Sequence, residues 1–358
     1  MLLLALTLGC SSPVDTEQSD PDTGDTDSVD TGGRADATLE LTSVPAHCAT
    51  EGSLVGLVRA ETPEDLAVAC FIWVQGWWTK PAWASPSTPV EVDGSWSCDV
   101  TTTPTDAAAS ELCAVLLPAD AAVPLAAGEP SLPDTLWHAA LDLACTSRWR
   151  TLSWSGRSWQ VKDSCGVPFG PGSCAFTGDT ERIWVDGEDR LHLTTAVDGD
   201  GWSCTELVGT EPLGHGDYAF TLATPAHDLD PRAVLGLFTY DLHDAAYAHR
   251  EIDVELSRWG DAEDANAQYV LQPWEADGHL HRFTVGDQVP VTHAFRWGPG
   301  RIDWRTEAEG EPLHQWSYAA ADVPPQGNEV PRLNLWLIDG RAESRGDEVV
   351  VSRFEHTP

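Results

Sequence analysis

Three acidic residues recur at every second position in a segment that reads HREIDVE from His249. On a β-strand alternate side chains share one face, so Glu251, Asp253 and Glu255 would point one way and the aliphatic residues between them into a core. Three like charges on one face are costly unless something uses or neutralises them. Glycoside hydrolysis uses them, because its retaining route needs one carboxylate as nucleophile and another as proton donor, ~5–5.5 Å apart.

A second acidic triplet tests how specific this pattern is. Glu307, Glu309 and Glu311 have Ala308 and Gly310 as spacers, which predicts a loop rather than a strand. About one acidic triplet is expected by chance in so acidic a chain, but aliphatic spacers lower that expectation to roughly 0.05. The aliphatic spacers therefore distinguish the first triplet from the second.

The elements that must position these acids are strands. From Trp149 onward short runs such as RLHLTTAV, YAFTLAT, AVLGLFTYD, HAFRWG and PRLNLWLID alternate apolar with polar residues and are separated by turns. No amphipathic run of helical length intervenes. This spacing is typical of an antiparallel β-sandwich or jelly roll, here predicted for residues 146–358.

Residues 41–145 predict a separate, small and mostly β accessory domain with disulfides, since short apolar runs are split by Pro, Gly and Asp. Its tryptophans cluster in GWWTKPAW and DGSW, from Gly76 and Asp93. Because tryptophan faces stack on sugar rings, this cluster could bind carbohydrate. The interpretation we favour is that the tryptophans form the core of a small domain. Residues 11–40, rich in Asp and Thr, cannot bury enough apolar surface to fold and predict a disordered acidic tether.

The first ten residues, MLLLALTLGC, are too short to span a bilayer as a helix. They resemble the end of a bacterial lipoprotein signal, with Cys10 as the lipidated residue. An ordinary secretory signal is the alternative. Both predict export, as an outer-membrane or cell-surface lipoprotein or as a secreted protein, with membrane contact only through the lipid anchor.

An even set of cysteines in an exported chain predicts disulfides, whose pairing the sequence leaves open. Besides Cys10 the cysteines are Cys48, Cys70, Cys98, Cys113, Cys145, Cys165, Cys174 and Cys204. The chain has no tight CxxC or HxxxH spacing that would predict a metal site. No cofactor is expected, and a structural calcium ion stays open without assigned ligands. A net charge of -37 argues against nucleic acid as a partner, and no feature predicts an oligomer, so we expect a monomer.

Further segments match one family in order and spacing. The acidic strand resembles the E-aliphatic-D-aliphatic-E signature of glycoside hydrolase family 16. The other matching segments are LGHGDY from Leu213, LGLFTY from Leu235, NAQY from Asn266, HAFRW from His293, RIDW from Arg301 and NLW from Asn334. The resemblance extends over roughly residues 155–355.

The resemblance implies a concanavalin A-like jelly roll with Glu251 as nucleophile, Glu255 as general acid/base and Asp253 as a supporting carboxylate. It also implies a set of substrate-binding residues, namely Phe238, Asn266, Gln268, Trp304 and Trp336. The signature lacks an extra residue before its last glutamate, as in lichenases and xyloglucan-active members. The expected substrate is therefore a neutral β-glucan, β-1,3-1,4- or β-1,3-linked, cleaved internally with retention.

Two alternatives stay open. Jelly rolls also serve as lectins, so a non-catalytic glycan-binding surface lipoprotein is one of them. The intact acids favour the enzyme, since a lectin needs no three carboxylates on one face. A transglycosylase, in which a sugar replaces water as acceptor, would use the same residues.

Overall fold

The computed structural model describes residues 37–198, 201–342 and 346–358, which form two all-β units. The predictions for Cys10 and for most of the acidic segment lie outside the described residues. The fold class is confirmed. Within the described ranges, no helix is both long and apolar enough to cross a bilayer.

The N-terminal unit spans residues 37–147. Its strands are β1 (Thr38–Ser43), β2 (Ser53–Arg59), β3 (Leu66–Trp73), β4 (Trp77–Lys80), β5 (Ser87–Pro89), β6 (Ser95–Asp99), β7 (Glu111–Pro118), β8 (Ala127–Glu129) and β9 (Asp142–Ser147). One helix, α1 (Asp134–Ala139), and two 3₁₀ turns, Pro63–Asp65 and Pro104–Ala108, complete it. β1 begins inside the predicted tether, and β9 runs two residues past the predicted domain boundary.

Two sheets build this unit, one in the order β1-β2-β6 and the other in the order β8-β4-β3-β7-β9, with β5 also paired to β3. Every residue of β3 is buried, because its two faces contribute to two different apolar clusters, with Ile72 in one and Phe71 in the other. The predicted tryptophan core holds for Trp77, which is buried, while Trp83 is 55% exposed.

The second unit is the predicted sandwich. Its strands are β10 (Arg150–Trp154), β11 (Arg157–Val161), β12 (Ala175–Phe176), β13 (Ile183–Val185), β14 (Leu191–Thr194), β15 (Ala196–Asp198), β16 (Gly201–Gly209), β17 (Gly216–Leu222), β18 (Ala233–Tyr240), β19 (Ile252–Leu256), β20 (Ala267–Leu271), β21 (Leu280–Phe283), β22 (Val291–Gly298), β23 (Arg301–Ala308), β24 (Glu311–Ala319), β25 (Val330–Leu337) and β26 (Glu348–Thr357). A kinked 3₁₀ turn, Ile338–Gly340, follows β25. The second acidic triplet spans the turn between β23 and β24.

Two sheets enclose one large core between them. The first has ten strands, with β10-β11-β16-β25-β18-β19-β20-β21 in order and β12 and β15 paired to β16. The second has the order β13-β14-β26-β17-β22-β23-β24. On β25, Leu333, Leu335 and Leu337 enter the core, so the alternate residues Arg332 and Asn334 lie on the opposite face. Both of these polar side chains are buried, although they point away from the core. We therefore call this opposite face of the ten-stranded sheet the recessed face.

The described residues contain three disulfides, namely Cys48–Cys165, Cys113–Cys145 and Cys174–Cys204. The first joins the N-terminal unit to the sandwich. The prediction that all eight cysteines pair is wrong for Cys70 and Cys98, which are buried free thiols. Both lie in the same apolar cluster of the N-terminal unit, where a thiol packs as a small apolar side chain.

Candidate active site

The acidic triplet lies on the inner strand β19, between β18 and β20. Ile252 and Val254 are fully buried in the core of the sandwich, and Asp253 and Glu255 therefore lie on the recessed face. Glu251 directly precedes the strand with an extended backbone, φ -84° and ψ 119°, and continues the same alternation. The strand prediction made from the aliphatic spacers is confirmed.

All three carboxyl groups hold their protons more tightly than in water. Burial, and then the charge of Glu255, raise the pKa of Glu251 to about 8. Burial raises the pKa of Glu255 to about 7. Burial and the two flanking glutamates raise the pKa of Asp253 well above its usual range. At neutral pH the triplet therefore carries fewer than three charges, so at least one of its groups is a proton donor.

Hydrogen bonds distinguish the three acids. Gln268 Nε2 donates to Glu255 Oε2 at 2.6 Å, and Gln272 Nε2 donates to Asp253 Oδ2 at 3.3 Å. A further hydrogen bond joins Asp253 and Glu251, and it lowers the pKa of Glu251 while raising that of Asp253. When Asp253 holds its proton it can donate to Glu251, which favours the ionised form of Glu251.

Basic side chains on the recessed face are already paired with carboxylates. Arg332 Nη1 lies 3.0 Å from Glu206 Oε1, and Lys162 Nζ lies 2.6 Å from the other oxygen of Glu206. Arg332 also lies over the ring of Tyr240 at 4.8 Å and opposes the rise in the pKa of Glu251. Its guanidinium thus favours a negative charge on the first glutamate of the triplet.

Two predicted aromatic residues lie on the recessed face. Phe238 is the cross-strand partner of Asp253 on β18 and is buried. Trp336 is half-buried on β25 and meets Trp259 edge-on, with ring centroids 5.9 Å apart.

Gly236, opposite Glu255, leaves the space that Asn334 occupies, because a Cβ there would lie 2.5 Å from Asn334 Oδ1.

Two predicted substrate-binding residues are buried with their polar atoms bonded to backbone groups, so the prediction is wrong for both. Trp304 is 1% exposed on β23 of the other sheet, where it faces the core and donates its indole N–H to the backbone oxygen of Asp253 at 3.0 Å. Asn266 is buried just before β20. Its amide bonds the backbone N–H and carbonyl of Val285, so a turn uses its polar atoms.

Gln268 is a partner of Glu255 and of Arg282, which donates to Gln268 Oε1 at 2.8 Å.

Arg332, Gln272 and Trp259 are the site residues that the sequence analysis missed. Arg332 lies two and four residues before Asn334 and Trp336, so period-two alternation along β25 was a usable signal. Gln272 follows β20, and Trp259 lies in the loop after β19. Their positions beside the triplet depend on how strands pair, which no local pattern encodes.

One group of ligand-type atoms within the described ranges lies between the two units. His47, Asp163 and the sulfurs of Cys48 and Cys165 offer atoms within 4.8 Å of one another. The two sulfurs are bonded to each other, so neither is a thiolate that could bind a metal. Asp163 binds His47 only through its backbone oxygen, at 3.0 Å. The donor set fits a structural link rather than a metal centre.

Comparison with known proteins gives matches among solved structures alone. No family model matches the chain. No curated protein matches it either. A β-glucanase of Bacillus licheniformis is 18% identical with a TM-score of 0.43, and the match covers 56% of this chain and 92% of that one. A β-1,3-1,4-glucanase (lichenase) from a mouse hindgut metagenome is 18% identical with a TM-score of 0.42, covering 56% and 92%. A β-1,3-glucanase of Mycobacterium marinum is 17% identical with a TM-score of 0.41, covering 55% and 90%.

The fold and the site define the class of this protein as an all-β sandwich with an acidic, recessed sheet face. At the identities and TM-scores above, the matching structures assign neither a family nor an activity. The assignment of function stands on the residues of this chain.

Proposed function

We propose that the protein is a retaining, endo-acting glycoside hydrolase that cleaves a neutral β-glucan. The observation that carries the proposal is the arrangement of residues 251–255, where three carboxyl groups share one face and have raised pKa values. The retaining reaction uses one carboxyl group as a carboxylate and another as a carboxylic acid, and it regenerates both.

In the first step Glu251, as the carboxylate, attacks the anomeric carbon and forms a C–O bond to it. The glycosidic C–O bond breaks, and Glu255 gives its proton to the departing sugar oxygen. In the second step Glu255, now a carboxylate, takes a proton from water. The resulting hydroxide oxygen replaces Glu251 at the anomeric carbon with a second inversion, so the configuration is retained.

The neighbours of the two glutamates support this division of roles. Arg332 and Asp253 lower the pKa of Glu251, which suits a nucleophile, but burial and the charge of Glu255 outweigh them and keep that pKa at about 8, above the value of about 7 for Glu255. The order of the two roles therefore follows the resemblance of the acidic strand to the family signature, and Glu251 must release its proton before it attacks. Gln268 holds one oxygen of Glu255 at 2.6 Å and leaves the other for the proton that the acid must transfer. Burial raises the pKa of Glu255 to about 7, so at neutral pH this group can both give and take a proton, as a general acid/base must.

A neutral substrate fits the charges of the recessed face. Arg332 and Lys162 already bind Glu206, and Arg282 binds Asp264 at 2.8 Å. A sulfated or carboxylated sugar would have to break one of these pairs. The aromatic pair Trp259 and Trp336 offers apolar surface for a sugar ring instead.

The test is incubation of the pure protein with β-1,3-1,4-glucan, β-1,3-glucan and xyloglucan, with Glu251→Gln and Glu255→Gln as matched controls. We expect wild type to release reducing ends and each variant to lose at least about a thousandfold in kcat/KM. Proton NMR of the first products should show the β-anomer. Initial release of the α-anomer would refute the retaining mechanism.

The same experiment separates the two alternatives. If the protein binds a glucan but cleaves none of the polymers, the lectin interpretation would replace the hydrolase interpretation. Formation of longer oligosaccharides when a short acceptor is added would indicate a transglycosylase on the same residues. Neither outcome is favoured by a specific feature of the recessed face.

A further inference from the structure

The N-terminal unit meets the sandwich at the loop that leads into the acidic strand. This loop, residues 241–250, joins β18 to Glu251. Its Leu242 packs against the apolar cluster of the N-terminal unit that contains Trp73 and Trp77. The contact therefore reaches to within ten residues of the proposed nucleophile.

His243 is the centre of that contact. Its ring meets Trp73 edge-on at 4.4 Å and stacks on Trp77 at 5.8 Å, and its Nε2 lies 3.1 Å from Glu111 Oε1. Trp73 and Glu111 are cross-strand partners at one end of the β3–β7 ladder. The end of the β3–β7 ladder thus holds a histidine of the sandwich, and we call Trp73, Trp77 and Glu111 the histidine socket.

The loop ends in a backbone conformation that needs support. Tyr247, Ala248, His249 and Arg250 have φ angles of 53°, 48°, 62° and 54°. Four consecutive residues other than glycine in the left-handed region are strongly disfavoured, and they persist only where surrounding contacts hold them. We call residues 247–250 the left-handed turn. Glu251 follows it directly and donates its N–H to the oxygen of Ala248 at 3.3 Å.

Asp241 connects the histidine socket to the left-handed turn. Its carboxylate accepts the backbone N–H of His243 at 3.2 Å and a guanidinium N–H of Arg250 at 3.1 Å. Its backbone N–H donates to the oxygen of His249 at 2.7 Å, and its backbone oxygen lies 2.8 Å from His249 Nδ1. One residue therefore bonds both ends of the loop.

We propose that the N-terminal unit is a positioning part of the active site, and that His243 is the positioning residue through which it acts. The inference rests on the proposed function, because it assigns a role in the same reaction. The socket fixes His243, Asp241 transfers that restraint to the left-handed turn, and the turn fixes where Glu251 stands. A displacement of about 1 Å at a reacting group can cost a hundredfold in rate.

The test compares His243→Ala with Trp83→Ala in the full-length protein. Trp83→Ala removes an exposed aromatic side chain of the same unit. We expect His243→Ala to lower kcat on a soluble oligosaccharide about tenfold to a hundredfold with KM within about threefold. We expect Trp83→Ala to keep kcat. Unchanged kcat in His243→Ala would overturn the inference.

A graded pair guards against misfolding. His243→Phe keeps a ring between the tryptophans but loses the contact with Glu111, and Glu111→Gln keeps a hydrogen-bonding group at 111 but removes its charge. Both should fall between wild type and His243→Ala in kcat. A rise in KM with unchanged kcat, seen on polymers only, would instead indicate that the N-terminal unit binds glycan. That result would overturn the positioning role.

Amide hydrogen exchange separates this inference from the proposed function. In His243→Ala, peptides covering residues 241–256 should exchange about tenfold faster or more, while peptides of β22 and β26 keep their rates. Unchanged exchange in residues 241–256 overturns the inference whether or not the protein is active. Faster exchange in a protein whose wild type cleaves no glycan keeps the mechanical link and refutes the proposed function alone.

Discussion

Replacing Glu255 by glutamine should stabilise the protein, and should do so only at high pH. The pKa of Glu255 rises from its ordinary 4.5 to about 7 because the carboxyl group is buried. An acid whose pKa is higher in the folded state stabilises the fold fully below about pH 4.5 and loses that contribution as the pH rises through about 7. Glutamine carries no charge, so Glu255→Gln avoids the loss, and its oxygen can still accept the Gln268 N–H.

The magnitude follows from the same pKa values. At about 1.4 kcal/mol for each pKa unit, a rise from 4.5 to about 7 corresponds to about 3 kcal/mol. The carboxyl group itself is buried, but part of the Glu255 side chain reaches solvent, and screening there sets a lower bound of about 2 kcal/mol. We therefore expect Glu255→Gln to raise the free energy of unfolding by about 2–3 kcal/mol at pH 8 relative to its effect at pH 4.

Urea unfolding at pH 4, 6 and 8, followed by the fluorescence of the 17 tryptophans, measures the effect. Glu311→Gln is the control, because Glu311 is an exposed glutamate on β24, and a surface substitution should stay within about 0.5 kcal/mol at every pH. An equal effect of Glu255→Gln at pH 4 and pH 8 would refute the burial argument. A destabilisation that grows with pH would reverse its sign.

Three further predictions concern the site and the link between the units. Gln268→Ala removes a hydrogen bond that lowers the pKa of Glu255, so the alkaline limb of kcat/KM should move up by about half a pH unit or more; a downward move contradicts the assignment. Trp336→Ala should raise KM for oligosaccharides about tenfold, equivalent to about 1.4 kcal/mol of binding, with little change in kcat. Replacing Cys48 and Cys165 by serine opens a loop of 117 residues, and urea unfolding should show a loss of about 4 kcal/mol.

The acidic strand was predictable because its signal is local. Acids at odd positions with Ile252 and Val254 between them leave only one orientation in which the aliphatic pair is buried. The sandwich was predictable for a similar reason, since short alternating runs with turns between them must be covered by a second sheet. The left-handed turn before Glu251 has no such signal, because none of its residues is a glycine that would indicate positive φ.

The substrate-binding residues show what the sequence cannot supply. Trp304 and Trp336 both lie on alternating strands, yet one faces the core and the other the recessed face. Which face of a strand is buried depends on the sheet to which it belongs, and that depends on long-range pairing. For the same reason Arg332 was missed, although it shares a face with Trp336. The predicted boundary after residue 145 falls two residues before the end of β9 at Ser147.

The Cys48–Cys165 bridge has a consequence for how the protein matures. Its second cysteine lies beyond β11 of the sandwich, so a chain emerging into an oxidising compartment cannot form this bond until the whole N-terminal unit and the first hairpin of its neighbour have been delivered. From then on a protease that nicks an exposed loop between the two cysteines releases no fragment, because the severed pieces stay covalently joined. Once the bond has formed, the two units therefore stay covalently joined after a single cut between Cys48 and Cys165.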